Sequence, residues 1–130
     1  VSSIPLIAIV DDDQAMREAL DDMIKSCGYD SRLFVSAEDF LADADRRAID
    51  CMLLDVKMPG LTGLDLQTIL NGEATKPPII FMTSYRDERT RSAAMDGGAL
   101  AFLGKPVEFD RLIKVLEDAL RGLPQRRTGE

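Results

Sequence analysis

The chain contains no histidine and no tryptophan. Without an imidazole there is no histidine-based acid–base catalysis, and the chain cannot phosphorylate itself on histidine. Its two cysteines, Cys27 near a helix end and Cys51 in an apolar run, form no CxxC pair. That argues against a disulfide and more strongly against a thiolate metal site, so two buried, reduced thiols are expected. Basic residues are the minority, 16 against 23 acidic, for a net charge of −7. Contacts to nucleic-acid phosphates need clustered Lys and Arg, so direct nucleic-acid binding by this segment is not expected. The acidic balance suits a cation site or a partner with a basic face. No apolar stretch approaches the roughly 18 residues of a membrane span, and no signal-peptide pattern is present. No membrane association is therefore expected, and a cytoplasmic location follows by default. The start at Val1 in place of Met leads us to expect a processed or shortened chain.

What is present is enough for one compact domain: 130 residues, 45 % apolar and 30 % charged. Five short apolar runs, at residues 5–10, 31–34, 51–54, 78–82 and 100–103, alternate with five helical patterns. Three of the runs are continuously apolar, as in a parallel sheet covered on both faces. Arg32 interrupts the second, which predicts an edge strand. Met16, Ala19, Leu20, Met23 and Ile24 recur at helical spacing before a stop at Gly28. Ser36-Ala-Glu-Asp39 resembles a capping box and precedes Phe40, Leu41 and Ala44. Thr62-Gly-Leu-Asp65 repeats that signal before Leu66, Ile69 and Leu70. Residues 86–96 form the weakest helical pattern, ending at Gly97-Gly98. The clearest stripe is Phe109, Leu112, Ile113, Leu116, Ala119 and Leu120. From Gly122 onward the chain turns polar and basic. We expect a domain over residues 1–122, with 123–130 the start of a linker or a frayed tail. Strands alternating with helices give (βα)₅ and a doubly wound sheet.

In such a sheet, sites form at the carboxyl ends of strands, near the point where strand order reverses. The first strand ends in Asp11-Asp12-Asp13, the third in Asp55, the fourth in Thr83 and the fifth in Gly104-Lys105-Pro106. Asp13 is expected to cap the first helix, but three adjacent aspartates exceed what a cap needs. Asp11, Asp12 and Asp55 bring three negative charges to one pocket and Lys105 one positive charge. Crowded carboxylates raise each other's pKa values unless a cation intervenes. All-oxygen ligands favour Mg²⁺ or Mn²⁺ over Zn²⁺. A carboxylate at the mouth of a buried strand, as at Asp55, is costly unless paired or used.

The segments IAIVDDDQAMREAL, CMLLDVKMPGLTGLDL, PPIIFMTSYRD and ALAFLGKPVEFDRL stand in order and at the intervals of response-regulator receiver domains, which the chain resembles over roughly residues 5–121. The resemblance implies a flavodoxin-like α/β sandwich with strand order 2-1-3-4-5. It implies that Asp55 is the phosphoacceptor and that Asp11 and Asp12 hold Mg²⁺, with Asp12 the favoured direct ligand. It also makes the Lys57 carbonyl a further ligand, places Thr83 and Lys105 on the phosphoryl group, and gives Phe102 the place of the aromatic switch residue. A cis peptide before Pro106 is implied as well. The donor would be a histidine kinase or a phosphotransfer protein, or a small acyl phosphate. The domain would catalyse only its own phosphorylation and dephosphorylation, and would control an output, transcription on the wording of its motifs. The fourth helix, fifth strand and fifth helix would change on activation and serve as a homodimer or partner face. Lys57 and Tyr85 flank the site and would shape the access of water.

Other readings fit less well. A phosphatase with an aspartate nucleophile wants a second Asp two residues on, where Lys57 stands, and this chain lacks room for a cap domain. A flavin carrier needs a phosphate loop where Asp11–Asp13 would repel phosphate. A calcium loop beginning at Asp11 fails at Ala15, Met16 and Asp22. A pure interaction domain with a vestigial acidic pocket stays open and is separated by acyl-phosphate labelling.

Overall fold

The computed structural model of the chain describes residues 4–84 and 87–121. Tyr85, Arg86 and the expected linker at 123–130 lie outside the described residues. The elements run β1 (Leu6–Val10), α1 (Gln14–Ser26), β2 (Asp30–Phe34), α2 (Ala37–Leu41), a 3₁₀ turn (Arg46–Ala48), β3 (Cys51–Asp55), α3 (Gly63–Asn71), β4 (Ile79–Thr83), α4 (Glu88–Asp96), β5 (Ala101–Gly104) and α5 (Phe109–Arg121). All neighbouring strands are parallel, in the order β2-β1-β3-β4-β5. This is the expected flavodoxin-like topology, with β2 on the edge as Arg32 suggested.

The two-residue period of the strands sorts their side chains into two cores. Ala8, Val10, Met52, Leu54 and Phe81 face Phe40 of α2, Leu66 and Leu70 of α3 and Ala94 of α4. Ile7, Ile9, Cys51, Leu53, Ile80, Met82 and Leu103 face Leu20 and Ile24 of α1 and Leu112, Leu116 and Leu120 of α5. With helices on both faces, β1, β3 and β4 are buried almost throughout, which explains their unbroken apolar runs.

The helix ends follow local chemistry. Asp13 Oδ1 accepts from Ala15 N at 3.0 Å and from Met16 N at 3.4 Å, the expected cap. Gly28, at φ 87°, leads the chain out of α1. Thr62 and Asp65 form a reciprocal capping box at α3. Asp50, buried below β3, accepts from Leu6 N at 2.8 Å and staples β1 to β3 at the end of the sheet away from Asp55.

Several expectations are corrected. α2 stops at Leu41, and Ala44 is exposed rather than on its apolar face. Asp43 diverts the chain there, with Oδ1 accepting from Asp45 N and Oδ2 from Arg32. Ile69 and Phe109 belong to apolar stripes but are 40 % and 45 % exposed, so each stripe is wider than the face that is buried. Cys27 is only half-buried, since it caps α1 beyond the core. α4 starts at Glu88, with Asp87 Oδ1 accepting from Arg89 N as its cap.

Candidate acidic centre

The order of the sheet reverses between β1 and β3, so the carboxyl ends of these two strands flank the topological switch point. Asp11 follows β1 directly and Asp55 closes β3. Both are buried, whereas Asp12 is exposed at the rim. One carboxylate oxygen from each of Asp11, Asp12 and Asp55 lies within 4.8 Å of the others. Among the described residues these three make up the acidic group able to hold a metal ion.

Lys105, just past β5, enters from the side. Its Nζ lies 2.8 Å from Asp11 Oδ2 and 3.4 Å from Asp55 Oδ1. Its backbone N donates to the carbonyl of Thr83, locking the ends of β4 and β5 together. The Lys105–Pro106 peptide is cis, as expected. Thr83 is buried at the end of β4 and shares the strand parity of Phe81, hence the α3/α4 side of the sheet. Phe102 pairs in register with Phe81, their ring centroids 6.3 Å apart, and is half-buried. The Lys57 side chain is exposed.

Charge balance dominates the chemistry. Removal from water pushes the Asp55 carboxyl up to about 6, the nearby Asp11 charge adds to this, and Lys105 partly offsets it. Burial works to lower the Lys105 ammonium, but its hydrogen bond to Asp11 and the charges of Asp55 and Asp11 outweigh that and hold it above its ordinary value. One ammonium thus serves two buried carboxylates, with a third at the rim. The donor set fits a hard divalent cation: all oxygen, clustered, and short of positive charge.

Two contributors escape sequence reasoning. Arg17 Nη1 donates to the carbonyl of Asp11 at 2.7 Å and braces the β1–α1 turn; from sequence it reads as one more polar residue on α1. Gly63 opens α3 so close to β3 that a Cβ there would lie 2.3 Å from the Asp55 carbonyl oxygen and 3.1 Å from the Phe81 ring. A glycine in the first turn of a helix is costly, and that cost was the available signal of a close approach.

Fold and site together define a doubly wound α/β domain with a cation-competent acidic cluster at its switch point. The family model described as the response regulator receiver domain matches residues 7–117. The response regulator protein TodT of Pseudomonas putida is 38 % identical over 123 residues, covering 95 % of this chain and 54 % of that protein. The transcriptional regulatory protein FixJ of Bradyrhizobium diazoefficiens is 38 % identical over 115 residues, covering 88 % of this chain and 56 % of its own length. A response regulator receiver protein from Pseudomonas putida has a crystal structure that matches with a TM-score of 0.82 at 30 % identity, covering 91 % of this chain and 99 % of that one. The chain belongs to the response regulator receiver domain family of two-component systems. It spans about half the length of the curated relatives it matches. Among the described residues, no helix is long and apolar enough to cross a membrane.

Proposed function

We propose that Asp55 accepts a phosphoryl group from an external histidine kinase or phosphotransfer protein, with Mg²⁺ held by Asp11, Asp12, Asp55 and the Lys57 carbonyl, or Mn²⁺ in its place. The observation that carries this is the convergence of Asp11, Asp12 and Asp55 on one point with Lys105 beside them. Phosphoryl transfer asks the protein mainly for position and charge neutralisation. An Asp55 carboxylate oxygen attacks phosphorus while the bond from phosphorus to the donor's imidazole nitrogen, or to an acyl oxygen, breaks and the donor leaves with that electron pair. With a carboxyl raised only to about 6, Asp55 is mostly ionised near neutral pH and ready to attack. Bound Mg²⁺ would supply the missing positive charge for the carboxylates and the incoming phosphoryl oxygens. Lys105 and the Thr83 hydroxyl would contact those oxygens, and Lys57 would shape the approach of water. The chain acts only on its own phosphorylation state. Residues 1–122 form the receiver unit.

The signal leaves through Thr83. Drawing its hydroxyl toward the phosphoryl group shifts the end of β4 and lets Phe102 turn inward. Two features support this. α4 has one fully buried side chain, Ala94, so few apolar contacts hold it. Phe102 lines a surface cavity with Asp87, Glu88, Arg91 and Arg111, between α4 and α5. The α4–β5–α5 face is then the homodimer or partner surface, and the output is transcription, with no nucleic-acid contact by this acidic segment itself. A cytoplasmic location goes with such a partner. Labelling by acetyl phosphate tests the metal requirement. Uptake should need a divalent cation and should slow in Asp12→Ala; equal uptake in chelator would contradict the reading.

A further inference from the structure

We infer that Glu38 is a positioning residue for the metal site: from α2 its carboxylate holds the loop of residues 56–62 in the form that presents the Lys57 carbonyl to the cation. This rests on the assignment of Asp55 and Mg²⁺ above.

The loop is tied at both ends by backbone bonds. Val56 N donates to Met82 O at 3.2 Å, and Gly63 N donates to Val56 O at 2.8 Å. Lys57 itself lies between the buried side chains of Val56 and Met58. Farther along, Leu61 N donates to Glu38 Oε2 at 2.9 Å, a bond reaching 23 residues back along the chain. Gly60 is shaped to this contact in two ways. Its φ of +76° lies in the left-handed region, and a Cβ there would stand 2.4 Å from Glu38 Oε2. The loop therefore passes directly over the carboxylate.

The base that carries Glu38 is firm although α2 is short. Ala37 and Phe40 are fully buried on either side of it. Phe40 packs edge-on against Phe34 with centroids 5.2 Å apart, and Ser36 Oγ accepts from Asp39 N as the cap. The Leu61 N–H beside Glu38 holds its carboxyl below the usual range, as an anion accepting a backbone hydrogen bond should be. An ordinary solvated acid in a first helical turn would not reach across to another element. Without this acceptor Leu61 N would turn to water and the loop would sample more forms. The cation would then bind only the fraction of molecules with the carbonyl in place, and its apparent affinity would fall by that fraction.

The test uses the whole chain and Mg²⁺ alone, measured by calorimetry, together with hydrogen exchange at the Leu61 amide in chelator. Glu38→Ala should speed Leu61 exchange and weaken Mg²⁺ binding about three- to five-fold, the worth of one modest hydrogen bond, with the urea midpoint in chelator lowered by no more than such a bond accounts for. In Glu38→Gln the side-chain oxygen can still accept from Leu61, so most of both properties should return. Wild-type Mg²⁺ affinity in Glu38→Ala would overturn the inference, as would equal weakening in Ala and Gln, which would mark a charge effect. A wild-type chain that binds no Mg²⁺ would overturn it together with the metal reading. If Mg²⁺ binding depends on Glu38 as stated but Asp55→Asn still takes up phosphate, the acceptor assignment alone fails.

Discussion

Lys105 lies closer to Asp11 than to Asp55, at 2.8 Å against 3.4 Å, although both carboxylates depend on it for counter-charge. Asp11 is fully buried and its other oxygen accepts from Asp13 N, so this carboxylate is held in the β1–α1 turn as well as by the ammonium. Removing the ammonium strands two like charges in a poorly hydrated pocket. Lys105→Met should cost about 3 kcal/mol in chelator, the usual effect of breaking a buried pair on one side. Saturating Mg²⁺ should restore part of that loss. Urea titrations with and without the cation would show it, and an unchanged midpoint in chelator would mean that Lys105 is not the counter-ion.

Asp55 gives the opposite sign. Its folded pKa, about 6 against an ordinary 3.8, is raised. A raised carboxyl contributes stability below the unfolded value and loses it as pH climbs through the folded one. The metal-free protein therefore pays for an ionised Asp55 above pH 6, on the order of 2 kcal/mol. Asp55→Asn removes that charge and should melt higher than wild type at pH 8 in chelator, with the advantage gone near pH 4. Melting curves across that range decide the matter, and an advantage that does not vary with pH would count against the electrostatic cause.

Gly63 meets the backbone of Asp55, where nothing flexible can yield. Gly63→Ala should gain helix propensity yet destabilise the protein by about 2 kcal/mol, because the added methyl forces α3 away from β3. Phosphorylation should slow in step with that displacement. A variant more stable than wild type would show that the approach is looser than the geometry indicates.

Thr83 should couple the site to α4 without being needed for uptake. Beryllofluoride, a phosphoryl mimic, should change amide protection in α4 and β5 of the wild type. In Thr83→Ala the mimic should still bind but leave those helical and strand amides largely as they were. Undiminished changes in the variant would place the coupling elsewhere.

The strands and the residues of the acidic centre were legible because each depends on local pattern; the order of the strands came from the resemblance to receiver domains. Continuous apolar runs mark strands covered twice, and polar residues at their ends mark one edge of the sheet. Ile69 and Phe109 were misplaced because periodicity identifies an apolar face but not where the opposing layer ends. Ala44 was misplaced because Asp43, by bonding Asp45 N and Arg32, turns the chain where composition still permits a helix. Gly63, Arg17 and Glu38 act through contacts with other elements, at Asp55, Asp11 and Leu61. No spacing along the chain encodes which backbone group a side chain will meet after folding.

Asp55 as the acceptor is tested most directly by trapping the acyl phosphate. Incubation with acetyl phosphate and Mg²⁺ should add one hydroxylamine-labile phosphoryl group; borohydride reduction, which expels the phosphate and leaves homoserine, followed by peptide mass spectrometry should map the site to position 55, and Asp55→Asn should take up none. Stoichiometric labelling that persists in Asp55→Asn, with no second site mapped, would contradict the assignment.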